Sequence, residues 1–184
     1  MSLDLAILQV KSLGRGHLLA QRVLGEDQRK AGVALLDFFN LGGECVLLIQ
    51  GPQDLLMNLI KDSPSRELVR SQVIENVHAD VLNALMSLDT APIIQFSAII
   101  ESPFLGDILA IAQEAVTKGL KITELLIARR KGALSSLIVT AGDSGQEVSI
   151  LQEMKEKLPA EALMTIISPV NEGYSDYFSV NPQN

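Results

Sequence analysis

Apolar residues fall into short runs of strand length, set apart by glycine- and proline-bearing turns and interrupted by stretches of helical spacing. Leu5 to Val10 is the first such run, a buried strand bounded by Lys11-Ser12, and Gly14 and Gly16 break the pattern after it. From His17 to about Arg29 the residues Leu19, Val23 and Leu24 approach helical spacing. Gly25-Glu26-Asp27-Gln28-Arg29-Lys30 is polar and reads as a helix end or exposed turn. Val33 to Phe39 and Glu44 to Gln50 are two strand-like runs joined by Asn40-Leu41-Gly42-Gly43, whose glycines admit the positive φ of a hairpin turn. Gly51-Pro52-Gln53-Asp54 opens a second helix with Leu55, Leu56, Leu59 and Ile60 on its inner face, and Asp62-Ser63-Pro64-Ser65 closes it. Leu68 to Val77 predicts a final strand, and Ala79 to Leu88 a short linking helix.

The second half repeats this order. Ser12, Gly16, Leu19 and Ala20 recur as Ser102, Gly106, Leu109 and Ala110, a shift of 90 positions that also carries Leu35-Leu36 to Leu125-Leu126. Val46 to Gly51 returns as Leu137 to Gly142, one position further on. Pro92 to Ile100 predicts a strand, and Leu105, Ile108, Leu109, Ala112 and Val116 form one helical stripe. Ile122 to Arg130 and Leu134 to Thr140 predict a hairpin turning at Lys131-Gly132-Ala133. Ser144-Gly145-Gln146-Glu147 has capping-box spacing ahead of Val148, Leu151, Met154 and Leu158, and Leu163 to Ile167 predicts the last strand. Strand, helix, strand, strand, helix, strand is the split β-α-β order. The fold class is therefore α+β: two tandem ferredoxin-like β-α-β-β-α-β modules, antiparallel sheets with helices on one face. The modules span 1–88 and 91–170, with the boundary at Asp89-Thr90-Ala91-Pro92, and a polar tail with isolated Tyr174, Tyr177 and Phe178 fills 171–184.

Composition narrows the partners. The 184 residues are 47% hydrophobic and 20% charged, with mean hydropathy +0.26, yet no uncharged apolar stretch is long enough to span a bilayer. The surplus apolar surface is expected to meet other subunits. A net charge of -7 sets no field that would attract a phosphate backbone, and 4% aromatics without Trp offers no stacking platform, so neither nucleic acid nor membrane is an expected partner. The single Cys45 excludes an intramolecular disulfide, and Met1-Ser2-Leu3-Asp4 lacks a signal-peptide start; a cytoplasmic location is expected.

Candidate chemistry is sparse. Cys45 sits among aliphatics and reads as a small core residue, His78 has no nucleophile or paired carboxylate spaced to work with it, and His17 follows a glycine-rich turn and is expected exposed. Gly14-Arg15-Gly16 lacks the third glycine and later acid of a dinucleotide fingerprint, and Glu26-Asp27 reads as a solvated face. The expectation is no catalytic residue, no metal and no cofactor, hence no enzyme. Arg129-Arg130-Lys131 reads either as a solvated hairpin tip or as a cationic rim.

Glu114-Ala115-Val116-Thr117-Lys118-Gly119-Leu120-Lys121-Ile122, the hairpin after it and Val139-Thr140-Ala141-Gly142-Asp143 resemble the bacterial microcompartment shell-protein domain. Val73-Ile74-Glu75-Asn76-Val77-His78 resembles the end of that domain, and two such domains in one chain are similar to the tandem-domain shell proteins, including the propanediol-utilisation type. The resemblance runs to about Val170. It implies a homotrimer whose six modules form a flat pseudohexagonal tile, laid edge to edge with other shell proteins in a microcompartment shell around encapsulated enzymes. It places Leu41, Gly42, Gly43, Gly132, Ala133 and Leu134 around a central pore for small polar metabolites, with Arg129, Arg130 and Lys131 at its rim favouring anions. Lys118 matches the family's tile-edge lysine; the first module has only Gly25 near the equivalent place and Lys30 nearby. Some tandem shell proteins hold an iron-sulfur cluster on a pore-loop cysteine; here that position is Leu41, so no cluster is expected. The first module also has Gly51-Pro52 where the family has Gly-Asp. The alternative is a tandem ferredoxin-like small-molecule sensor or regulatory protein with its ligand at the module interface.

Overall fold

A computed structural model describes residues 3–64, 66–87, 96–141 and 145–167. The chain forms two compact units, 1–77 with 129–133 and 78–128 with 134–184. The expected boundary at Asp89 to Pro92, the motif Gly142-Asp143, the cap position Ser144 and the tail with its three aromatics lie outside the described residues.

The first unit contains β1 (Asp4–Val10), α1 (Leu13–Val23), α2 (Glu26–Lys30), β2 (Ala34–Asn40), β3 (Cys45–Gly51), α3 (Gln53–Lys61) and β4 (Leu68–Ile74). Its four strands form one antiparallel sheet in the order β2-β3-β1-β4, with β3 inserted between β1 and β2 as the split β-α-β order requires. On one face Ala6, Leu8, Val10, Leu47 and Ile49 pack under Ala20 and Val23 of α1 and Leu56 and Leu59 of α3. Leu5, Ile7 and Leu48, which alternate with these, are also buried, which explains why β1 and β3 read as unbroken apolar runs.

Helix α1 begins earlier than the glycines suggest. Ser12 caps it, its Oγ accepting the Arg15 N–H at 3.2 Å, so Gly14 and Gly16 lie within the first turns rather than in a loop. The polar stretch from Gly25 is a five-residue helix, α2, with no buried residue.

The second unit contains α4 (Ala79–Leu85), β5 (Phe96–Ser102), α5 (Leu105–Thr117), β6 (Lys121–Leu126), β7 (Ser135–Ala141), α6 (Gly145–Glu156) and β8 (Leu163–Ile167). Its sheet has the matching order β6-β7-β5-β8, again antiparallel throughout. The expected stripe of α5 is buried at Leu105, Ile108, Leu109 and Ala112, with Val116 half-buried and Ile111 and Ala115 added to it. Leu151 and Met154 anchor α6, while Val148 and Leu158 are half-buried. Buried Ser102 starts α5: its Oγ donates to Asp107 Oδ2 at 2.9 Å and accepts the Phe104 N–H at 3.2 Å. The segment expected as a linking helix, α4, packs on α5 and β6.

Strand register shows the duplication more sharply than residue identity does, and it corrects the constant shift. Val10 pairs with Cys45 and Ser102 with Ser135, so the first strands are related by 92 positions and the third by 90. The second strands are related by 87, because α2 lengthens the first half where Gly119, at φ 87, turns directly into β6. Leu35-Leu36 therefore corresponds to Ile122-Thr123, not Leu125-Leu126, and Val46 to Gly51 corresponds to Ser136 to Ala141. Both second strands carry a bulge at the same place, between Leu35 and Asp37 opposite Ile49 and Leu48, and between Ile122 and Glu124 opposite Val139 and Ile138. A bulge kept at one register position in both halves is a signature of common design.

Candidate functional site

The residues expected to line a pore sit on two hairpin tips. Asn40, Leu41, Gly42, Gly43 and Glu44 make a tight turn closed by the Leu41 N–H on the Glu44 carbonyl at 2.7 Å, while Asn40 Oδ1 accepts the Gly43 N–H at 3.0 Å. Gly42 and Gly43 take φ of 67° and 108°, so the turn requires both glycines, and both are exposed. Gln9 anchors the turn from β1, its Nε2 donating to Glu44 Oε2 at 2.6 Å.

The β6–β7 tip is longer, running from residue 127 to 134. Its base is held by Ser135 Oγ, which accepts the Ala128 N–H at 3.1 Å, and its end by the Ala133 N–H on the Arg130 carbonyl at 3.1 Å, with Gly132 at φ 80. Gly132, Ala133 and Leu134 are exposed. Residues 129–133 group with the first unit, where Asp37 Oδ2 accepts from Arg129 Nη2 at 2.8 Å and the guanidinium lies 5.1 Å from the centre of the Phe39 ring. A Cβ on Gly42 would sit 3.1 Å from Lys131 Cβ, so Gly42 and Lys131 are neighbours.

This geometry divides the three cations. Arg129 is neutralised by Asp37 and stacked on Phe39, whereas Arg130 and Lys131 are exposed and have no ion-pair partner among the described residues. Asp37 and Phe39 escaped the sequence reading. A signal for Asp37 existed: it is the only charge in the run Leu35-Leu36-Asp37-Phe38-Phe39, and a carboxylate on a strand needs a partner.

Lys118 lies apart from the tips, at the end of α5. Its Nζ is 3.0 Å from Glu114 and 3.1 Å from Glu153. The hydrogen bond to Glu114, then that to Glu153, raises its pKa above the usual lysine value; Lys157 first and Lys118 second hold Glu153 below the usual carboxylate range.

Cys45 is buried at the start of β3, and its Sγ donates to the Ser12 carbonyl at 3.4 Å. Burial pushes its thiol up, against a weaker opposing hydrogen bond from Gly16. His78 caps α4, its Nδ1 accepting the Asp80 N–H at 3.2 Å, and His17 is exposed with its ring against Phe38. A cavity of about 270 Å³ beside α1 is rimmed by the ion pairs Arg15–Glu67 and Arg22–Asp62 and contains none of the expected residues. No group of metal-ligating side chains occurs among the described residues, and no described helix is long and apolar enough to cross a membrane.

Neither a protein-family model nor a curated protein matches the sequence. The crystal structure of a microcompartments protein from Desulfitobacterium hafniense DCB is similar, with a TM-score of 0.74 and 20% identity over 94% of this chain and 98% of that one. At that identity the likeness establishes a shared fold, the two tandem ferredoxin-like modules. A structure described as a glycine cleavage system transcriptional repressor covers 90% of this chain and 98% of its own at 14% identity, but with a TM-score of 0.30.

Proposed function

We propose that the chain is a structural shell protein of a bacterial microcompartment, a homotrimer whose six modules close into a pseudohexagonal tile in the cytoplasm. The single observation that carries this reading is the doubled fold itself, down to the bulge repeated in β2 and β6, in a chain similar over nearly its whole length to a microcompartments protein. Two near-equivalent modules, copied about a three-fold axis, give six wedges.

In this reading Leu41, Gly42, Gly43, Gly132, Ala133 and Leu134 line the pore, where small side chains and exposed amides pass small polar metabolites. Arg130 and Lys131 supply the charge that favours anions, while Arg129 fixes the tip through Asp37. Lys118 stands at the tile edge, buttressed by Glu114 and Glu153, toward other shell proteins. Enzymes are enclosed cargo and the chain itself is no catalyst.

Electron microscopy of the purified protein, paired with light scattering, tests the proposal. Trimers that pack into sheets or tubes are the expected result. A discrete oligomer that never tiles, and whose melting temperature rises with one metabolite, would favour the sensor reading instead.

A further inference from the structure

The cavity beside α1 lies within the first unit and involves neither hairpin tip. One face of α1 walls it through Arg15, Leu18, Leu19 and Arg22, spaced i, i+3, i+4 and i+7, and the turn from α3 into β4 faces that wall with Asp62 and Glu67. Buried Val10 and half-buried Leu68 complete an apolar floor. Val10 pairs with Leu68 but Gln9 with Arg70, so Val69 is one residue too many and β4 bulges where the cavity lies. The Glu67 backbone is fixed on both sides: its carbonyl accepts the Lys11 N–H at 2.8 Å and its N–H donates to the Pro64 carbonyl at 2.8 Å. At the mouth Leu18 leaves an apolar side chain 57% exposed.

The second unit has not kept these features. Helices α1 and α5 start at Leu13 and Leu105, so Arg15, Leu18, Leu19 and Arg22 correspond to Asp107, Ala110, Ile111 and Glu114. Both arginines are replaced by carboxylates already engaged, Asp107 by Ser102 and Glu114 by Lys118, and Ile111 is buried. The β5–β8 pairing carries no bulge. What the duplicated fold needs is therefore common to both halves, and this cleft is peculiar to the first.

Its charges are balanced and only partly used. Arg15 Nε lies 2.9 Å from Glu67 Oε1, and Arg22 Nη2 lies 2.6 Å from Asp62 Oδ2. A guanidinium has five N–H groups and a carboxylate about four acceptor sites, and these four side chains have no other partner among the described residues. Each pair thus keeps both donors and acceptors for a ligand. A lone anion entering the mouth would meet Glu67 and Asp62, and a lone cation would meet Arg15 and Arg22. A zwitterion answers both signs. An α-amino acid carries its carboxylate and ammonium on one carbon, so it can lie along an ion pair with each charge facing its opposite. Arg15 is in the first turn of α1, where the helix field adds to the pull on a carboxylate.

We infer that this cleft binds a free aliphatic α-amino acid, its carboxylate on Arg15, its ammonium on Glu67 and its side chain on Val10, Leu19 and Leu68. The Arg22–Asp62 pair, ~10 Å further along α1, bounds the far end and limits the length of that side chain. A volume of about 270 Å³ falls just short of the ~300 Å³ at which pockets for drug-sized ligands begin, which fits one amino acid and excludes a nucleotide. The site goes beyond the shell reading and does not depend on it: tiling and amino-acid binding are read by separate measurements, and either can fail alone.

Calorimetric titration of L-leucine into the full-length protein tests the inference. Saturable binding at one site per chain is expected, with a Kd of about 1 mM or tighter. Isocaproate, which lacks the ammonium, and isoamylamine, which lacks the carboxylate, should each bind about tenfold or more weakly, having lost a charge-assisted contact. Arg15→Gln and Glu67→Gln should weaken leucine binding by a similar factor, whereas Lys30→Gln, which removes a charge from exposed α2, should leave it unchanged. The Arg15–Glu67 pair is a surface pair, so both site variants are expected to keep the parent circular dichroism. Absence of saturable leucine binding, equal binding of either analogue, or an affinity untouched in both site variants would each overturn the inference. Should a variant lose its fold, the three ligands on the unaltered protein decide the question.

Discussion

Gly16 of α1 and Cys45 of β3 approach so closely that a Cβ added at position 16 would lie 2.5 Å from the Cys45 Sγ and 2.9 Å from its Cβ. The helix rests on the strand through a glycine because nothing larger fits. Gly16→Ala is expected to destabilise the protein by about 1–3 kcal/mol, the usual cost of overpacking. Cys45→Ala in the same chain should restore part of that loss, since it removes the opposing sulfur. Chemical denaturation of the four-membered mutant cycle measures both, and strictly additive losses would contradict the contact.

The same contact makes Cys45 inert. Burial holds the thiol protonated, and the thiolate is the reactive form. Native protein is expected to resist a thiol reagent at neutral pH and to react with one equivalent once denatured. Rapid labelling of the native state would show that α1 opens readily from β3.

Glu153 and Lys118 predict opposite arms of a pH profile. Glu153 titrates below its ordinary value in the fold, so its contribution is present above that ordinary value and is lost as pH falls through the folded one. Lys118 titrates above its ordinary value, so its contribution is present below that value and is lost as pH rises through the folded one. Glu153→Gln should flatten the acid fall of the melting temperature, and Lys118→Met the alkaline fall. Unchanged slopes in both variants would remove the cluster from the stability of α5 and α6. Both groups are solvent-facing, so added salt should shrink the effects.

Arg129 is exposed and Asp37 half-buried, and their pair is expected to contribute no more than about 1 kcal/mol. Asp37→Asn therefore should lower stability only slightly while freeing a third cation beside Arg130 and Lys131. In a lipid-bilayer conductance measurement on assembled tiles, anion preference should rise in this variant and fall in Lys131→Glu. No change with either substitution would move these tips away from the conducting path.

Ser102 is a buried hydroxyl with two partners, the Asp107 carboxylate and the Phe104 N–H. Ser102→Ala leaves both without it and is expected to cost about 1–3 kcal/mol. Thermal unfolding measures the loss, and a neutral effect would mean that the turn from β5 into α5 forms without this hydroxyl.

The strands were legible because buried β1, β3, β5 and β7 need unbroken apolar runs between turn residues, and Leu163 to Ile167 is β8 to the residue. The start of α1 was not, since glycines read as breakers unless the neighbour they make room for is known, and Cys45 is 29 positions further along. The constant repeat shift misled for a related reason. A five-residue polar helix inserted before β2 leaves no apolar signature, so only strand pairing shows that Leu35 corresponds to Ile122. Among the candidate functional residues, the glycine tips were evident from composition. The pairing of Arg129 with Asp37 and Phe39 joins segments 92 positions apart, which local pattern cannot register.

That α4 covers β6 also orders events during synthesis. The helix leaves the ribosome about forty residues before Leu126 completes the strand it will rest on, a gap of roughly 2–8 s at ~5–20 residues per second. For that interval the nascent chain carries Val81 and Ala84 without the α5–β6 surface that buries them in the folded unit.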